Sequence, residues 1–546
     1  MAELTTAIFR NLIGDVRQMR LSLGRRWTTA LLWAANFAVA GLILLPILYL
    51  FVRLVAAENS PWGTVFRATT LATLGNTLLL AAAVTLASAA IAIPIAWLTV
   101  RSDIPFRRLW AILAVLPLVI PSYVGAYLLT ASLGPRGIIA HWLEAAFGFE
   151  QIPSIYGFAG AAYVLTLLSY PLTVLSVRSA LQGIDPALEE ASRSLGTGPW
   201  RTFCRVILPQ LRPGIAAGSL LVALYVLRDF GAVSIMRYNT FTRVIYIQFQ
   251  ATFNREAAAA LSLILVGLTV AILFFEARSQ AGFRGRYHTQ MPGSVRPHPP
   301  TALGGWRWPA LLFCAVIVLL ALVIPSGVLV YWLLRGIEMG HRVSPVWSAA
   351  WNSLSVSIAA ALLTLLACLP VAYAGVRRPG KSSQILGRIA YLGYALPGVV
   401  VALSLVFFTV NLARPVYQTL FTLLIAYLIL FLPQAIGAVR TSLLQVHPRL
   451  EEAGRGLGRG SLTVFSRITF PLLRPGIITA LGLVFLTTMK ELPATLILSP
   501  YDFKTLATEV WSTVSEAFFA QAAAPALLLI LLSSVPMAIL LFRERQ

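Results

Sequence analysis

Two charged dipeptides stand inside otherwise apolar sequence, and their side chains could bind an ion or pair with each other. They are Arg228-Asp229 and Lys490-Glu491, which lie 262 positions apart. Ionisable groups inside a membrane are costly and usually face a pathway or a partner, so we expect these residues to form a gate or to contact a substrate. Because adjacent helix residues point apart, the expected pairs are Arg228 with Glu491 and Asp229 with Lys490. The alternative is a static ion pair that only holds the fold together.

The same spacing of 262 relates two polar stretches, residues 185–215 and 447–477, which are identical at 17 of 31 aligned positions. A proline and glutamates suit the start of a helix, and a glycine suits its end, so each stretch predicts a helix–turn–helix elbow. The residues that carry this pattern are Glu189, Glu190, Ala191, Gly196 and Pro209 in the first copy, and Glu451, Glu452, Ala453, Gly458 and Pro471 in the second.

Residues 375–382 have the spacing of a phosphate-binding loop, Gly-x4-Gly-Lys-Ser. That loop needs a strand before it and a helix of a nucleotide-binding fold after it. Here an apolar run precedes it and another begins about ten residues later, so we interpret its basic residues as membrane-anchoring charges. The three cysteines and five histidines are scattered and have no metal-ligand spacing, so no cofactor and no catalytic residue is predicted.

The elements that must position these residues are apolar runs along the whole chain. It is 58% hydrophobic and only 11% charged, and its mean hydropathy is +0.80. Such a composition is typical of a polytopic membrane protein, because a helix of about 20 apolar residues crosses a bilayer. Twelve predicted spans cover residues 27–55, 74–98, 109–130, 156–177, 213–230, 257–275, 308–334, 352–375, 389–412, 420–439, 475–489 and 522–542.

The net charge of +22 is distributed in a way that favours a lipid bilayer, not a nucleic acid, as the partner. With the amino terminus on the cytoplasmic side, 30 of the 42 Lys and Arg residues fall in cytoplasmic segments. This bias follows the positive-inside rule and predicts that both termini are cytoplasmic. Residues 27–55 are interpreted as a retained first span, because the run is too long for a signal-peptide core.

Repeats and a linker predict two related halves. Residues 1–277 and 308–546 each contain six predicted spans, and residues 278–307 form a cytoplasmic linker rich in Pro, Gly and Arg. An even number of spans gives both halves the same orientation, so a pseudo-twofold axis along the membrane normal is expected. Further matches support this, since Asn76, Pro94 and Arg101 correspond to Asn352, Pro370 and Arg377 at a spacing of 276. The expected fold is therefore all-α, with about 12 spans in two pseudo-symmetric halves.

The two elbows resemble the EAA loops of bacterial ATP-binding-cassette importer permeases, with the pattern EAA-xxx-G-x9-I-x-L-P. The first copy departs from it mildly at Ser192 and Val206, and the second at Gly454 and Phe470. The resemblance implies a type I importer permease of the bacterial inner membrane. It also implies two separate ATPase subunits that dock on the two loops, a periplasmic binding protein that delivers substrate, and no hydrolytic chemistry in this chain.

Shorter motifs around the charged dipeptides narrow the resemblance. Residues 229–234 (DFGAVS) and 490–496 (KELPATL) resemble the fused ferric-iron importer permeases. Ferric iron is the implied substrate, and Asp229, Glu491 and Tyr238 are candidate oxygen ligands. Arg228 and Lys490 would repel a bare cation but suit an anionic iron complex. Fused thiamine permeases share the architecture, and a secondary transporter driven by an ion gradient is a further alternative that leaves the paired loops unexplained.

Overall fold

Helices make up the architecture of the described part of the chain. The computed structural model describes residues 2–55, 63, 66–134, 137–139, 154–284, 300–340 and 344–543. The helices up to the predicted linker are α1 (Ala2–Val55), α2 (Ala68–Arg101), α3 (Arg107–Leu113), α4 (Ser122–Leu133), α5 (Phe158–Gln182), α6 (Pro186–Ser194), α7 (Pro199–Thr202), α8 (Leu208–Arg228), α9 (Gly231–Ile235), α10 (Phe241–Gln250) and α11 (Arg255–Arg284).

The helices after the predicted linker repeat this order. They are α12 (Arg307–Val318), α13 (Ile324–Glu338), α14 (Ser344–Arg377), α15 (Lys381–Tyr391), α16 (Gly398–Leu412), α17 (Leu420–Gln445), α18 (Pro448–Gly456), α19 (Ser461–Val464), α20 (Phe470–Leu472), α21 (Arg474–Met489), α22 (Pro493–Leu498), α23 (Leu506–Ser515) and α24 (Phe519–Arg543). Three π-helical segments join consecutive helices, at Phe203–Ile207, Leu319–Val323 and Phe465–Thr469.

Nine helices of the described residues are long and apolar enough to cross a membrane, and twelve spans result if each of three bent helix pairs counts as one. These segments overlap all twelve predicted spans, which confirms an all-α polytopic fold. The third and ninth predicted spans are not straight, because their two parts meet at 94° and 106°. Pro121 and Pro397, again 276 positions apart, stand at these bends with extended backbone. Proline cannot donate the helical hydrogen bond and clashes with the preceding turn, which explains both breaks.

The chain forms two compact units that each combine distant segments. One contains Met1–Leu48, Ser355–Tyr394 and Leu424–Thr488, and the other contains Tyr49–Leu354, Ala395–Leu423 and Met489–Gln546. The predicted linker, residues 278–307, lies partly outside the described residues, since 285–299 are not described. Its boundaries therefore stay predictions.

Residues 300–307, the part of the linker nearest α12, bind the loop that follows α2. The Thr301 amide donates to the Arg101 carbonyl at 2.8 Å, and the Asp103 amide donates to the Thr301 carbonyl at 3.2 Å. Arg307 forms an ion pair with the Asp103 carboxylate at 3.3 Å. The chain thus returns to the end of α2 immediately before α12 begins.

The repeated asparagines hold equivalent loops. Asn76 Nδ2 donates to the Asn239 carbonyl at 3.3 Å, and Asn352 Nδ2 donates to the Lys504 carbonyl at 3.0 Å. Each acceptor lies just before a short amphipathic helix, α10 or α23. The sequence match at these positions therefore reflects a shared loop anchor.

Candidate functional site

Each polar repeat folds into the predicted elbow. We call α6, α7 and Phe203–Ile207 the first elbow, and α18, α19 and Phe465–Thr469 the second elbow. The Asp185 carboxylate accepts from the Ala187 amide at 2.9 Å at the start of α6, and His447 Nδ1 accepts from the Arg449 amide at 3.2 Å at the start of α18. Gly196 and Gly458 adopt φ of +77° and +75°, a left-handed conformation that favours glycine and turns the chain sharply.

A π-helical turn precedes the proline of each elbow. The Leu208 amide donates to the Phe203 carbonyl, and the Phe470 amide donates to the Phe465 carbonyl, five residues back in both cases. The next residue in each copy is Pro209 or Pro471, which has no N–H and whose ring clashes with the carbonyl four residues back. The wider turn accommodates the proline, so the repeated residue explains the repeated turn.

The segment after the turn differs between the two copies. The sequence predicts a second short helix followed by a separate span that begins near Pro213 or Pro475. In the first copy this is wrong, because Pro199–Arg228 is one continuous span. In the second copy the helix bends by 70° between Leu472 and Arg474.

The first glutamate of each elbow is buried, and the second is exposed. Glu189 and Glu451 are each 2% exposed, whereas Glu190 and Glu452 face outward. Ala191 and Ala453 are exposed as well. The two carboxylates of each pair therefore have different surroundings, a distinction that the sequence pattern does not make.

Glu189 faces an arginine at the end of α2. Arg101 Nη2 lies 3.8 Å from Glu189 Oε1, and these side chains are only 4% and 3% exposed. The same nitrogen donates to the carbonyls of Leu181 and Ile184 at 3.0 and 3.1 Å. Arg101 therefore joins the end of α2, the end of α5 and the helix of the first elbow. We call this arrangement the first clamp.

Glu451 has the equivalent arginine at the end of α14. Arg377 Nε donates to Glu451 Oε1 at 2.9 Å, and Arg377 Nη2 donates to the Val446 carbonyl at 2.7 Å. This is the second clamp. Other groups also reach the Glu451 carboxylate, namely Arg455 at 3.2 Å, Thr469 at 3.2 Å and Tyr373 at 3.4 Å. The sequence pairs Arg101 with Arg377 but assigns neither a role.

An aromatic pair repeats one helical turn before each clamp arginine. Trp97 meets Phe203 edge-on with ring centroids 6.3 Å apart, and Tyr373 meets Phe465 edge-on at 5.9 Å. Edge-to-face contacts at such distances are favourable. Each elbow therefore has a polar and an aromatic contact with the same preceding span.

The departures from the loop pattern are accommodated differently in the two elbows. The Ser192 hydroxyl lies 2.5 Å from that of Thr197 and 3.1 Å from that of Thr202. In the second elbow, a Cβ at Gly454 would lie only 2.8 Å from Ile468 Cδ1, so the glycine leaves room for the isoleucine side chain. The two residues that depart from alanine thus each fit their own elbow.

Large apolar side chains remain exposed on both elbows at equivalent positions. Leu195 and Leu457 expose 84% and 82% of their surface. Others at the same spacing of 262 are also exposed, namely Leu188, Trp200, Leu450 and Leu462. Exposed apolar patches bordered by charged residues are typical of protein–protein contacts.

The first charged dipeptide stands at the end of α8. Arg228 is the last residue of the helix, and Asp229, the next residue, is buried. Its carboxylate accepts from the amides of Ala232 and Val233 at 3.0 and 3.3 Å, so it caps the short helix α9. The Ser122 hydroxyl, at the bend between α3 and α4, also hydrogen-bonds to it. Asp229 therefore fastens α9 to the bend.

Glu491 has the same role in the second copy, with a different fit. Its Oε1 accepts from the Ala494 amide at 3.2 Å at the start of α22. The residue equivalent to Ser122 is Gly398, where an added Cβ would lie 2.3 Å from Glu491 Oε1. The first copy therefore combines Ser122 with the shorter Asp229, and the second combines Gly398 with the longer Glu491.

The basic residues of the dipeptides contact parts of the other sequence half. Lys490 Nζ donates to the Leu118 carbonyl at 2.8 Å, and Arg228 interacts electrostatically with the Glu491 carboxylate. This attraction has the sign that the expected pair of Arg228 with Glu491 requires, and the pair stays a prediction. Within the described residues, Asp229 and Lys490 each bond to other groups. Asp229 accepts from backbone amides, and Lys490 donates to the Leu118 carbonyl.

The candidate iron ligands are two carboxylates, Asp229 and Glu491, and the phenol of Tyr238. In the described part of the chain, no group of three or more His, Cys, Asp and Glu side chains could hold a metal ion. The Tyr238 hydroxyl donates to the Asn76 carbonyl at 3.3 Å, and burial raises the pKa of Tyr238, which favours the phenol over the phenolate. A contact of iron with Asp229, Glu491 or Tyr238 stays a prediction.

Residues 375–382 comprise the end of α14, a three-residue loop and the start of α15. α14 ends at Arg377 and α15 begins at Lys381, and the Gly380 amide donates to Ser383 Oγ at 3.1 Å. This stretch therefore lacks the preceding strand of a phosphate-binding loop.

Known proteins resemble both halves of the chain. The family described as binding-protein-dependent transport system inner membrane component matches residues 88–285 and again 364–545. An Fe(3+)-transport system permease protein of Haemophilus influenzae is 37% identical over 505 residues, which cover 91% of this chain and 95% of the relative. A ferric transport system permease protein of Actinobacillus pleuropneumoniae is 26% identical over 86% of this chain and 70% of its own length. A molybdenum transport system permease protein of Escherichia coli is 36% identical over 32% of this chain and 78% of its own length.

Proposed function

This chain belongs to the binding-protein-dependent transport system inner membrane components, and we propose that it imports ferric iron. It is a multi-pass protein of the inner membrane with two copies of the permease region in one chain. The ferric assignment is supported by the relative that is 37% identical over nearly the whole chain. Both termini are proposed to be cytoplasmic, as the distribution of basic residues predicts.

The duplicated elbow carries the proposal that two separate ATPase subunits drive transport. Each elbow presents an exposed leucine, Leu195 or Leu457, beside a left-handed glycine turn. An apolar knob on a polar helix–turn–helix suits insertion into a groove of a partner. The two ATPase subunits, one on each elbow, would close on each other when ATP binds. This closure would move both elbows and open the pathway outward. A periplasmic binding protein would deliver the substrate.

The charged dipeptides are proposed to form the outer gate of the pathway. Two interactions support this, the hydrogen bond of Lys490 with the Leu118 carbonyl and the electrostatic attraction of Arg228 to Glu491, because each joins segments distant in sequence. Opening would break both interactions, while the capping bonds of Asp229 and Glu491 would persist. To test the gate, uptake is measured in Arg228→Glu, Glu491→Arg and the double swap. Loss in both single variants is expected, with only partial recovery in the double because an arginine at position 491 cannot accept from the Ala494 amide, and wild-type uptake in both singles would contradict the gate.

Uptake by proteoliposomes tests the proposed substrate. The full chain is reconstituted with its ATPase subunits and binding protein, and ATP-dependent uptake of ferric iron is compared with that of thiamine. Iron uptake that requires ATP and the binding protein is expected. Thiamine uptake without iron uptake would support the alternative substrate of the same architecture, and uptake driven by an ion gradient without ATP would support a secondary transporter.

A further inference from the structure

The buried contacts behind each elbow point to a mechanical connection. The elbow continues covalently into one span, α8 in the first copy and α21, through the bend, in the second. The clamp adds a second span, because Arg101 ends α2 and Arg377 ends α14. The aromatic pair reinforces this connection, since Trp97 lies four residues before Arg101 and therefore on the same helix face.

Burial separates the clamp glutamates from the surface that a partner would contact. Glu189 and Glu451 are each 2% exposed, whereas the neighbouring carboxylates and Leu195 and Leu457 lie on the outside of the elbows. A docked subunit can therefore press on the leucines while the buried pair remains intact. Because a buried ion pair resists separation once both charges have left water, the elbow and the span end should move together.

We propose, on the premise that ATPases dock on the elbows, that Arg101 and Arg377 are positioning residues which make α2 and α14 move with the elbows. Each arginine also binds carbonyls at the end of a further span, at Leu181 and Ile184 in one copy and Val446 in the other. The clamp thus ties three segments at one point. When an elbow moves, the span that follows it in the chain and the spans bound by the clamp arginine therefore move with it.

The two clamps have different supports. Tyr373 and Thr469 donate hydroxyl bonds to Glu451. The position equivalent to Thr469 is Ile207, which has no donor. The first clamp has instead the returning linker, whose Thr301 amide binds the Arg101 carbonyl at 2.8 Å.

A set of neutral variants separates positioning from simple stability. The complete transport complex in proteoliposomes is compared for Arg101→Met, Glu189→Gln, the double variant and Arg108→Met. Each single variant removes one charge of the buried pair and is expected to reduce the amount of assembled complex, whereas the double removes both charges. The control, Arg108→Met, removes an exposed arginine of α3 near the same end of α2.

The decisive quantity is the amount of iron transported per ATP hydrolysed. Positioning predicts that the double variant assembles but loses about fivefold or more of this ratio, the lower range of coupling between sites. Arg108→Met is expected to keep the wild-type ratio. A double variant with the wild-type ratio would overturn the proposal, because the clamp would then serve stability alone.

A distance measurement keeps the test valid if the double variant fails to assemble. Spin labels are placed at Ala90 and at Ala187 of the elbow helix, both exposed, with Cys204 replaced by the serine of the equivalent position in the second copy. The distance is expected to be the same without nucleotide and with bound ATP. A change of one helical turn, about 5 Å, would overturn the proposal. Absence of iron uptake by the wild-type complex would contradict the proposed function instead, and the distance would still test the clamp.

Discussion

Asp229 and Glu491 show how two copies of one site retain a function with different residues. In each copy a carboxylate caps a short helix next to a bend in a neighbouring span. The shorter aspartate meets Ser122, and the longer glutamate uses the space that Gly398 leaves. The side-chain length and the size of the facing residue thus vary together.

This relation predicts a rescue. Gly398→Ser is expected to destabilise the protein by about 1–3 kcal/mol, because the new side chain would overlap the Glu491 carboxylate. Gly398→Ser with Glu491→Asp reproduces the pair of the first copy and should recover most of that loss. Thermal unfolding of the purified chain measures both. Equal destabilisation of the single and double variants would show that the two positions are independent.

Sequence patterns identify the elbow and charged residues but not all of their neighbours. The repeat marks Glu189 and Glu190 alike, since it records residue type and not burial. Arg101 is found as a repeated residue, yet its partner lies 88 positions later and becomes apparent only when α2 and α6 meet. The serine of the first bend is missed because the second copy has glycine at that position.

At the scale of elements, the π-helical turn sets how each elbow is oriented on the following helix. The turn contains one more residue than an α-helical turn, and a proline follows it in both copies. Apolar periodicity predicts that a helix is present here, but it does not reveal a local widening. The bends at Pro121 and Pro397 are missed as well, because hydropathy counts apolar residues and ignores the direction of the chain.

Replacing Pro209 with Ala tests the role of the turn. The new N–H can bond four residues back, so the turn should relax to an α-helix and rotate the elbow by about 100° relative to α8. Iron uptake per ATP is expected to fall while the chain remains folded.

Pro199→Ala is the matched control, because Pro199 stands in the first turn of α7, where the missing N–H costs little. Its uptake should equal that of the wild type. Equal behaviour of the two proline variants would contradict an orienting role for the π-helical turn.

At the scale of the whole molecule, composition and repeats predict the number of spans and the duplicated permease region. Composition and repeats do not predict which residues of the two copies contact each other. Those contacts depend on loops whose lengths differ, as the change in spacing from 276 to 262 shows. The structure of each elbow is predicted better, because each elbow folds from a single continuous stretch of sequence. The elbows are therefore the part of the site that is best predicted from sequence.

The account rests centrally on one ATPase subunit docking on each elbow. The mass of the intact complex, measured by native mass spectrometry for the wild type, Leu195→Asp, Leu457→Asp and the double variant, tests this directly. A charge at each exposed leucine should oppose docking in an apolar groove. We expect two ATPase copies on the wild type, fewer on each single variant and none on the double. Two bound copies on the double variant would contradict the account.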